Sequence, residues 1–598
     1  MSAPAAVSAA CPHLHNPYPG VGSIGNILYI ERSVDSIFPT LRGDGSMSAR
    51  KKSTEQNTDL SRRRLLKTAL AGGAVAAVFP SFAKAEVPHI ISHPIKPSEL
   101  DEITVAELQE GLRTGKYTAR SLTEEYLARI DKIDKSGPSV NSIIELNPDA
   151  LKIADELDRE RKEKGPRGPM HGIPAVIKDN IATADRMMTT AGSLALVGSK
   201  PPEDSFVVQQ MRKAGVVLIG KTNLSEWANI RSTHSTSGWS GRGGLTKNPY
   251  ALDRNTSGSS SGSGAAVTAN LSAVAVGTET DGSIVSPSSL NGIVGIKPTV
   301  GLVSRTGIIP ISHSQDTAGP MARTVGDAAA LLGAMVGVDQ KDKASRASKG
   351  KFHTDYTKFL DASGLKGARL GVVRGYFGFL PQVDDVMDHA IEVMKSKGAV
   401  IVDPAEFKTL GKWGDAEEIV LDYELKADMK KYLDWLGSST TMHSLADLIK
   451  FNDEHRKTEM PYFGQETFLR AEKMGPLTDK KYLDARAKCI RLTRTEGIDA
   501  VMNKYKLDAL VAPTDSPAWM TDLVDGDHFL GGSSSAAAVA GYPDVTVPAG
   551  FVFGLPIGIS FFGRAWSEPM LIKIAYSFEQ ATKVRKSPQF LPTADLNV

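Results

Sequence analysis

From about residue 100 onward, apolar positions recur at helical intervals, with Leu122, Tyr126, Ile130 and Ile133 on one face. Thr104 with Glu107, and Ser121 with Glu124, have capping-box spacing, which predicts a helix start at each place. Farther along, short apolar runs break this rhythm: "AVI" at 175–177, "VVLI" at 216–219, "VAV" at 274–276, "LGVV" at 370–373, "AVIV" at 399–402 and "ALVA" at 509–512. Runs of this length, set between helical stretches, predict strands of a largely buried sheet. The chain therefore reads as an α/β layered fold. The stretch from about 340 to 480 is richer in Lys, Asp and helical periodicity and reads as a helical elaboration rather than a separate domain. No internal repeat and no interdomain linker is evident downstream of about 100.

Upstream the pattern changes. "SRRRLLK" at 61–67 precedes the apolar "TALAGGAVAAVF" and then Ala83-Lys84-Ala85. A basic region, a short apolar region and an A-x-A site, with paired arginines, is the order of a twin-arginine export signal. The apolar run is about twelve residues, shorter than the ~20 that a spanning helix needs. A buried helix that happens to follow arginines is the competing reading. The expected organisation is an upstream extension over 1–46, with Met47 as an alternative start, a signal over 47–85, and a catalytic domain over 86–598 beginning at Glu86. The expected location is periplasmic or secreted, without stable membrane insertion after cleavage.

Composition acts by exclusion. With 598 residues, 41% hydrophobic and 23% charged, the chain is ordinary for a globular protein and large enough for a substantial enzyme. A formal net charge of +2 and the lack of a basic stripe interleaved with aromatics argue against nucleic acid as a partner. The two cysteines, Cys11 and Cys489, form no CxxC and no metal-ligand cluster, and cleavage of the signal would remove Cys11.

Two short patterns mislead. "GVVLIGKT" at 215–222 has phosphate-loop spacing, but its four intervening residues are Val, Val, Leu and Ile, which belong in a strand. "GSSSG" at 258–262 has the spacing of a nucleophile elbow centred on Ser260, yet "NPYALDRNTS" rather than a hydrophobic strand precedes it. Neither His313 nor His528 sits in a context that marks it as the histidine such an elbow requires.

The run "TSGSSSGSGAAV" at 256–267 has the composition of a flexible linker. Its flanks oppose that reading, because a small-residue helix and the apolar run 274–276 follow directly. Then comes "GTETDGSIVSPSS", where Ser283 follows the turn residues Thr280, Asp281 and Gly282. Successive backbone N–H groups in such a turn can converge on one point, as an oxyanion hole requires.

These stretches resemble the amidase signature family. "NPYALDRNTSGSSSGSGAAVTANLSAVAVGTETDGSI" is similar to its signature region, "GPMHGIPAVIKDNI" to its lysine segment, "TTAGS" to a companion motif, and "GYPDVTVPAG…GLPIGISFFG" to its closing strands. The resemblance runs from about 100 to 580. Through "KTNLSEWAN", "SGWSGRGG" and "TETDGSIV" it is strongest to the peptide amidase branch. It implies a single α/β/α sandwich with a large mixed central sheet. It also implies a catalytic set of Lys178, a cis-linked Ser259 and the nucleophile Ser283, with the N–H groups of Thr280, Asp281, Gly282 and Ser283 as the oxyanion hole.

Elementary chemistry fits those roles. A serine needs a base to attack near neutral pH. Lysine becomes that base only after losing its proton, and burial beside Ala175, Val176 and Ile177 would lower its pKa. Ser259 would then relay protons between Lys178 and Ser283. The family usually has Gly-Gly before the nucleophile, whereas here Asp281-Gly282 stands there. An acid beside an oxyanion has to point away from it, so Asp281 reads as a structural or substrate-amide contact. Lys221, Ser260, Ser261 and His171 read as packing or loop-stabilising residues, and Asp316 as a residue pinning a turn.

The expected activity is hydrolysis of carboxamides through an acyl-enzyme, with the C-terminal amide of a peptide as substrate, ammonia as product, and no metal or cofactor. Three alternatives remain open: a general aliphatic or aryl amidase, an amidotransferase A-subunit-like protein, and a non-catalytic amide-binding scaffold. Oligomeric state and natural substrate are not legible.

Overall fold

An eleven-stranded mixed sheet forms the spine of the chain in a computed structural model, which describes residues 97–596. The proposed export signal, Met47, the cleavage point before Glu86 and Cys11 lie outside the described residues. The strands are β1 (Ile143–Leu146), β2 (Pro174–Lys178), β3 (Val217–Thr222), β4 (Val274–Glu279), β5 (Val294–Lys297), β6 (Thr317–Ala322), β7 (Arg369–Val372), β8 (Val400–Val402), β9 (Ala509–Pro513), β10 (Asp544–Val552) and β11 (Leu555–Phe562). Their order across the sheet is β1-β3-β2-β4-β6-β5-β10-β11-β9-β7-β8. Strands β3, β2 and β4 are mutually parallel, as are β9, β7 and β8, and the ladders between these groups are antiparallel.

The parallel strands β2 and β3 and their neighbour β4 are buried along their whole length. Burial on both faces explains why they read as continuous apolar runs rather than alternating ones. "AVIV" is different. Its strand β8 lies at the sheet edge and leaves Val400 44% exposed, so this run is not a buried strand. Strand β3 extends through Gly220, Lys221 and Thr222, all buried, so the phosphate-loop spacing falls inside a ladder.

The helix Val105–Thr114 starts as expected, with Thr104 and Glu107 forming a capping box. The second expected start is displaced. The helix Ala119–Arg129 is capped by Thr118, and Ser121 is the residue that answers it, each backbone N–H donating to the other's hydroxyl. Thr118 offers the same reciprocal pair one turn earlier, so the helix begins there. Leu122, Tyr126, Ile130 and Ile133 are fully or almost fully buried against the sheet core.

Within the stretch 340–480, β7 and β8 extend the sheet, with the helix Pro381–Ser396 between them. The helical excursion proper begins with Gly414–Leu436 and continues through Lys480–Ile490. Its apolar faces pack with Leu224 and Trp227 on one side and with Leu510 and Phe562 on the other. No helix among the described residues is long and apolar enough to cross a membrane.

Candidate active site

Three segments meet at the C-terminal end of the parallel strands, the usual position for a site in an open α/β sheet. Strand β2 ends on Lys178 and β4 ends on Glu279, just before the turn that carries Ser283. Between β3 and β4 the chain makes the serine-rich loop and enters the helix Ser261–Thr268, every residue of which is buried. The "GSSSG" run is therefore a packed loop leading into a helix, not a tether.

Close packing fixes that loop. A Cβ on Gly262 would come within 2.3 Å of the Ser142 carbonyl oxygen and 2.6 Å of that of Asn223. The Gly258–Ser259 peptide is cis. The Ser259 carbonyl accepts a hydrogen bond from the N–H of Ser225 at 3.1 Å, and the N–H of Ser260 donates to the Ser283 carbonyl at 3.2 Å. The latter bond ties the serine loop to the turn after β4.

Lys178 is completely buried. Its Nζ lies 2.8 Å from Ser259 Oγ, 3.1 Å from Ser260 Oγ, 2.9 Å from Thr278 Oγ1 and 3.2 Å from the Thr278 carbonyl. Asn180 Nδ2 also donates to Thr278 Oγ1 at 2.9 Å. Burial lowers the Lys178 pKa to about 7, against the opposing pull of Glu279 and Asp316. A substantial neutral fraction at neutral pH follows, and a neutral amine can accept a proton.

Ser283 is 8% exposed, and among the described residues its hydroxyl makes no hydrogen bond. The residues on either side of it are firmly held. Glu279 Oε2 accepts from the N–H groups of Ile284 and Val285 at 2.8 and 3.1 Å, and Thr280 Oγ1 donates to Asp316 Oδ1 at 2.6 Å. Asp316 Oδ2 in turn accepts from the N–H groups of Ile311 and Ser312, both at 2.9 Å, so Asp316 pins this turn. Gly282 has φ of +77°, a left-handed conformation that favours glycine. Among the described residues the N–H groups of Asp281, Gly282 and Ser283 donate to nothing in the chain. Preorganised free donors of this kind are what a developing oxyanion needs. The Asp281 side chain accepts from Ser534 Oγ at 2.6 Å.

Lys221 donates to the Ile181 carbonyl at 2.7 Å and to Thr189 Oγ1 at 2.9 Å. Ser260 Oγ bridges the Thr278 carbonyl and N–H, at 3.0 and 3.2 Å. Ser261 Oγ donates to the Ser257 carbonyl at 2.6 Å, and the His171 ring meets the Leu157 carbonyl at 3.0 Å. Of these four, only Ser260 reaches Lys178.

Sequence reasoning missed several groups around the site. Ser286 donates to Asp515 and shares a 2.5 Å contact with Ser257 Oγ, closing a hydroxyl chain beside the serine loop. His313 sits between Asp428 (Nδ1 to Oδ2, 2.6 Å) and Glu424 (Nε2 to Oε1, 3.3 Å), both on the helix Gly414–Leu436. Ser286 and Asp515 are 229 positions apart in sequence and His313 and Asp428 are 115, so no local pattern pointed to these pairs.

The sequence profile of the family described as Amidase matches residues 121–572. The chain is 50% identical to the crystal structure of native peptide amidase from Stenotrophomonas maltophilia, with a TM-score of 0.79 and coverage of 83% of this chain and 100% of that one. It is 43% identical over 501 residues to an Arabidopsis thaliana protein named "Probable amidase", covering 82% of this chain and 92% of that protein. One component of the glutamyl-tRNA(Gln) amidotransferase of Thermoanaerobacter pseudethanolicus is 33% identical over 506 residues, covering 82% of this chain and 99% of that component.

Proposed function

The chain belongs to the amidase signature family, and from that premise we propose that it hydrolyses the C-terminal carboxamide of peptides, using Ser283 as nucleophile, Ser259 as relay and Lys178 as base. Family membership makes it an amide-hydrolysing enzyme. The observation that carries the assignment of roles is the buried Lys178 lying against Ser259, with its pKa lowered to about 7.

In this mechanism neutral Lys178 takes the Ser259 hydroxyl proton while Ser259 takes that of Ser283. Ser283 Oγ bonds to the carboxamide carbon, and the oxyanion that forms is stabilised by the N–H groups of Thr280, Asp281, Gly282 and Ser283. Collapse of the tetrahedral adduct breaks the C–N bond. The relay returns its proton to the leaving nitrogen, which departs as ammonia and leaves an ester on Ser283. Water, deprotonated by the same relay, cleaves the ester to give a carboxylic acid and restores the hydroxyl. The sum is amide plus water to acid plus ammonia.

The peptide-amide reading is supported by the 50% identity to a peptide amidase and by Val285. Many family members carry an arginine two residues after the nucleophile. Here that position is a fully buried valine, with no guanidinium to pair with a substrate carboxylate. A peptide C-terminal amide has no carboxylate at its reacting end. Purified chain should therefore release ammonia from dipeptide amides with a higher kcat/KM than from free glutamine or malonamate. Faster turnover of glutamine would favour an amidotransferase-like role instead. We also propose that the chain is exported by the twin-arginine route, on the order of residues 61–85.

A further inference from the structure

We propose that Phe529 is a specificity-determining residue, its exposed ring forming the wall that receives an apolar side chain from the last two residues of a peptide amide. The inference rests on the peptide-amide reading given above and names the substrate class within it.

Phe529 lies on the loop 514–533, which joins β9 to the helix Ser534–Ala540. Both ends of this loop meet the segment that carries Ser283. Near its start, Asp515 accepts from Ser286 Oγ. Just past its end, Ser534 Oγ donates to Asp281 Oδ1 at 2.6 Å and would stand 3.0 Å from a Cβ on Gly282. The two ends also pair with each other. Asp515 bridges to Gly532, the Ser516 N–H donates to the Gly531 carbonyl at 3.1 Å, and the Ser533 N–H donates to the Thr514 carbonyl at 3.2 Å. The middle of the loop reaches the start of the serine loop. There the Asn255 N–H donates to the Trp519 carbonyl at 2.8 Å, and Asn255 Nδ2 donates to Asp527 Oδ1 at 3.4 Å. Asp527 is fixed in turn by the N–H and hydroxyl of Ser237, at 2.9 and 2.5 Å. The loop therefore borders both segments that carry the proposed nucleophile and relay.

This frame leaves apolar side chains uncovered. Among the described residues twelve large apolar side chains are exposed, and Met520, Val524, Phe529 and Leu530 of this one loop are four of them. Single exposed apolar residues need no explanation, but a group of them beside a site calls for a ligand. Phe529 is the member tied by contact to the ends of the loop. A Cβ on Gly532 would stand 3.3 Å from its ring Cζ, so the ring folds back over the chain that pairs with Asp515 and leads to Ser534. The ring also meets Trp519 edge to face, with centroids 6.4 Å apart at 88°. Two contacts hold the ring while the residue stays 57% exposed. An apolar surface already held in place binds a partner with little further ordering cost. A peptide residue spans roughly 3.5 Å. A peptide amide with its reacting carbon at Ser283 thus carries its last two side chains over the ground beside the turn, where Ser534, Gly532 and the Phe529 ring follow in succession.

The test is ammonia release by the full chain from the amides of Gly-Gly, Gly-Leu and Leu-Gly, with Phe529→Ala and Phe529→Leu beside wild type. Wild type should prefer at least one leucine-containing amide over the Gly-Gly amide by about tenfold in kcat/KM, chiefly through KM. Tenfold corresponds to about 1.4 kcal/mol, which burial of about 55 Å² of apolar surface supplies. F529A should cut that preference to about twofold, whereas F529L, which keeps an apolar side chain, should retain most of it. Thermal melts establish that the variants are folded, and gel filtration reports their assembly. A wild type indifferent to leucine, or an undiminished preference in F529A, overturns the assignment. So does a preference lost together with a change of oligomeric state, which would make the patch a contact between copies of the chain. Failure of wild type to release ammonia from any of the three amides would instead overturn the peptide-amide reading itself.

Discussion

Lys178 Nζ and Ser259 Oγ, 81 positions apart in the chain, lie 2.8 Å from one another in a fully buried pocket. One is the last residue of a parallel strand and the other follows a cis peptide in a loop packed onto the next helix. Lys178 is fixed by its strand, and the Ser259 carbonyl is held by the N–H of Ser225. The pair is held before any substrate arrives, which is the sense in which such a site is preorganised.

The pH dependence follows from the direction of the Lys178 shift. Its native pKa is lowered from 10.5 to about 7, so the neutral, proton-accepting form grows as pH rises through 7 and is lost below it. The value of kcat/KM for a neutral amide should fall as pH drops below about 7. Lys178→Ala should be severely impaired. Lys178→Arg should be no better, because a guanidinium does not deprotonate at working pH. A profile flat down to about pH 5 would contradict the neutral-lysine base.

Replacing Ser259 by Ala removes the proposed relay, for which a water can partly substitute. Steady-state kinetics should show a loss of about a hundredfold in kcat, the order of one proton-transfer contribution. The loss should be smaller than that from replacing Ser283. Equal losses in the two variants would mean that Ser259 does more than pass protons.

Much of this site was legible in the sequence. Short apolar runs marked most of the buried strands, and the residues around Lys178, Ser259 and Ser283 resembled one family's motifs closely enough to number a candidate site. The rest was hidden for physical reasons. The true cap at Thr118 and the supposed one at Ser121 have the same chemistry one turn apart, and only the built helix separates them. The edge strand at 400–402 is as apolar as a central one, so burial could not be read from it. Asp515 and Ser286 meet across 229 positions of sequence, and no local spacing encodes that contact.

Gly282 offers a backbone test. Its φ of +77° is costly for any L residue, and an added Cβ would stand 3.0 Å from Ser534 Oγ. Gly282→Ala should destabilise the fold by about 1–2 kcal/mol in denaturant titrations. It should also depress kcat more than KM, because it would tilt the N–H groups proposed to face the oxyanion. An unchanged kcat would separate this turn from catalysis.

The export proposal concerns residues outside the described structure. Changing Arg62 and Arg63 together to lysine should retain the protein inside the cell as an uncleaved precursor. N-terminal sequencing of exported wild-type protein should begin near Glu86. Export unaffected by the double substitution would remove the twin-arginine reading.

The most direct measurement is ammonia release from a dipeptide amide by purified Ser283→Ala, compared with wild type under identical conditions. The substitution deletes the proposed attacking oxygen and nothing larger, so the variant should melt at the wild-type temperature. Its kcat should fall by at least about a thousandfold, the scale expected for loss of a nucleophile. Activity within a few-fold of wild type in a folded Ser283→Ala would contradict the account.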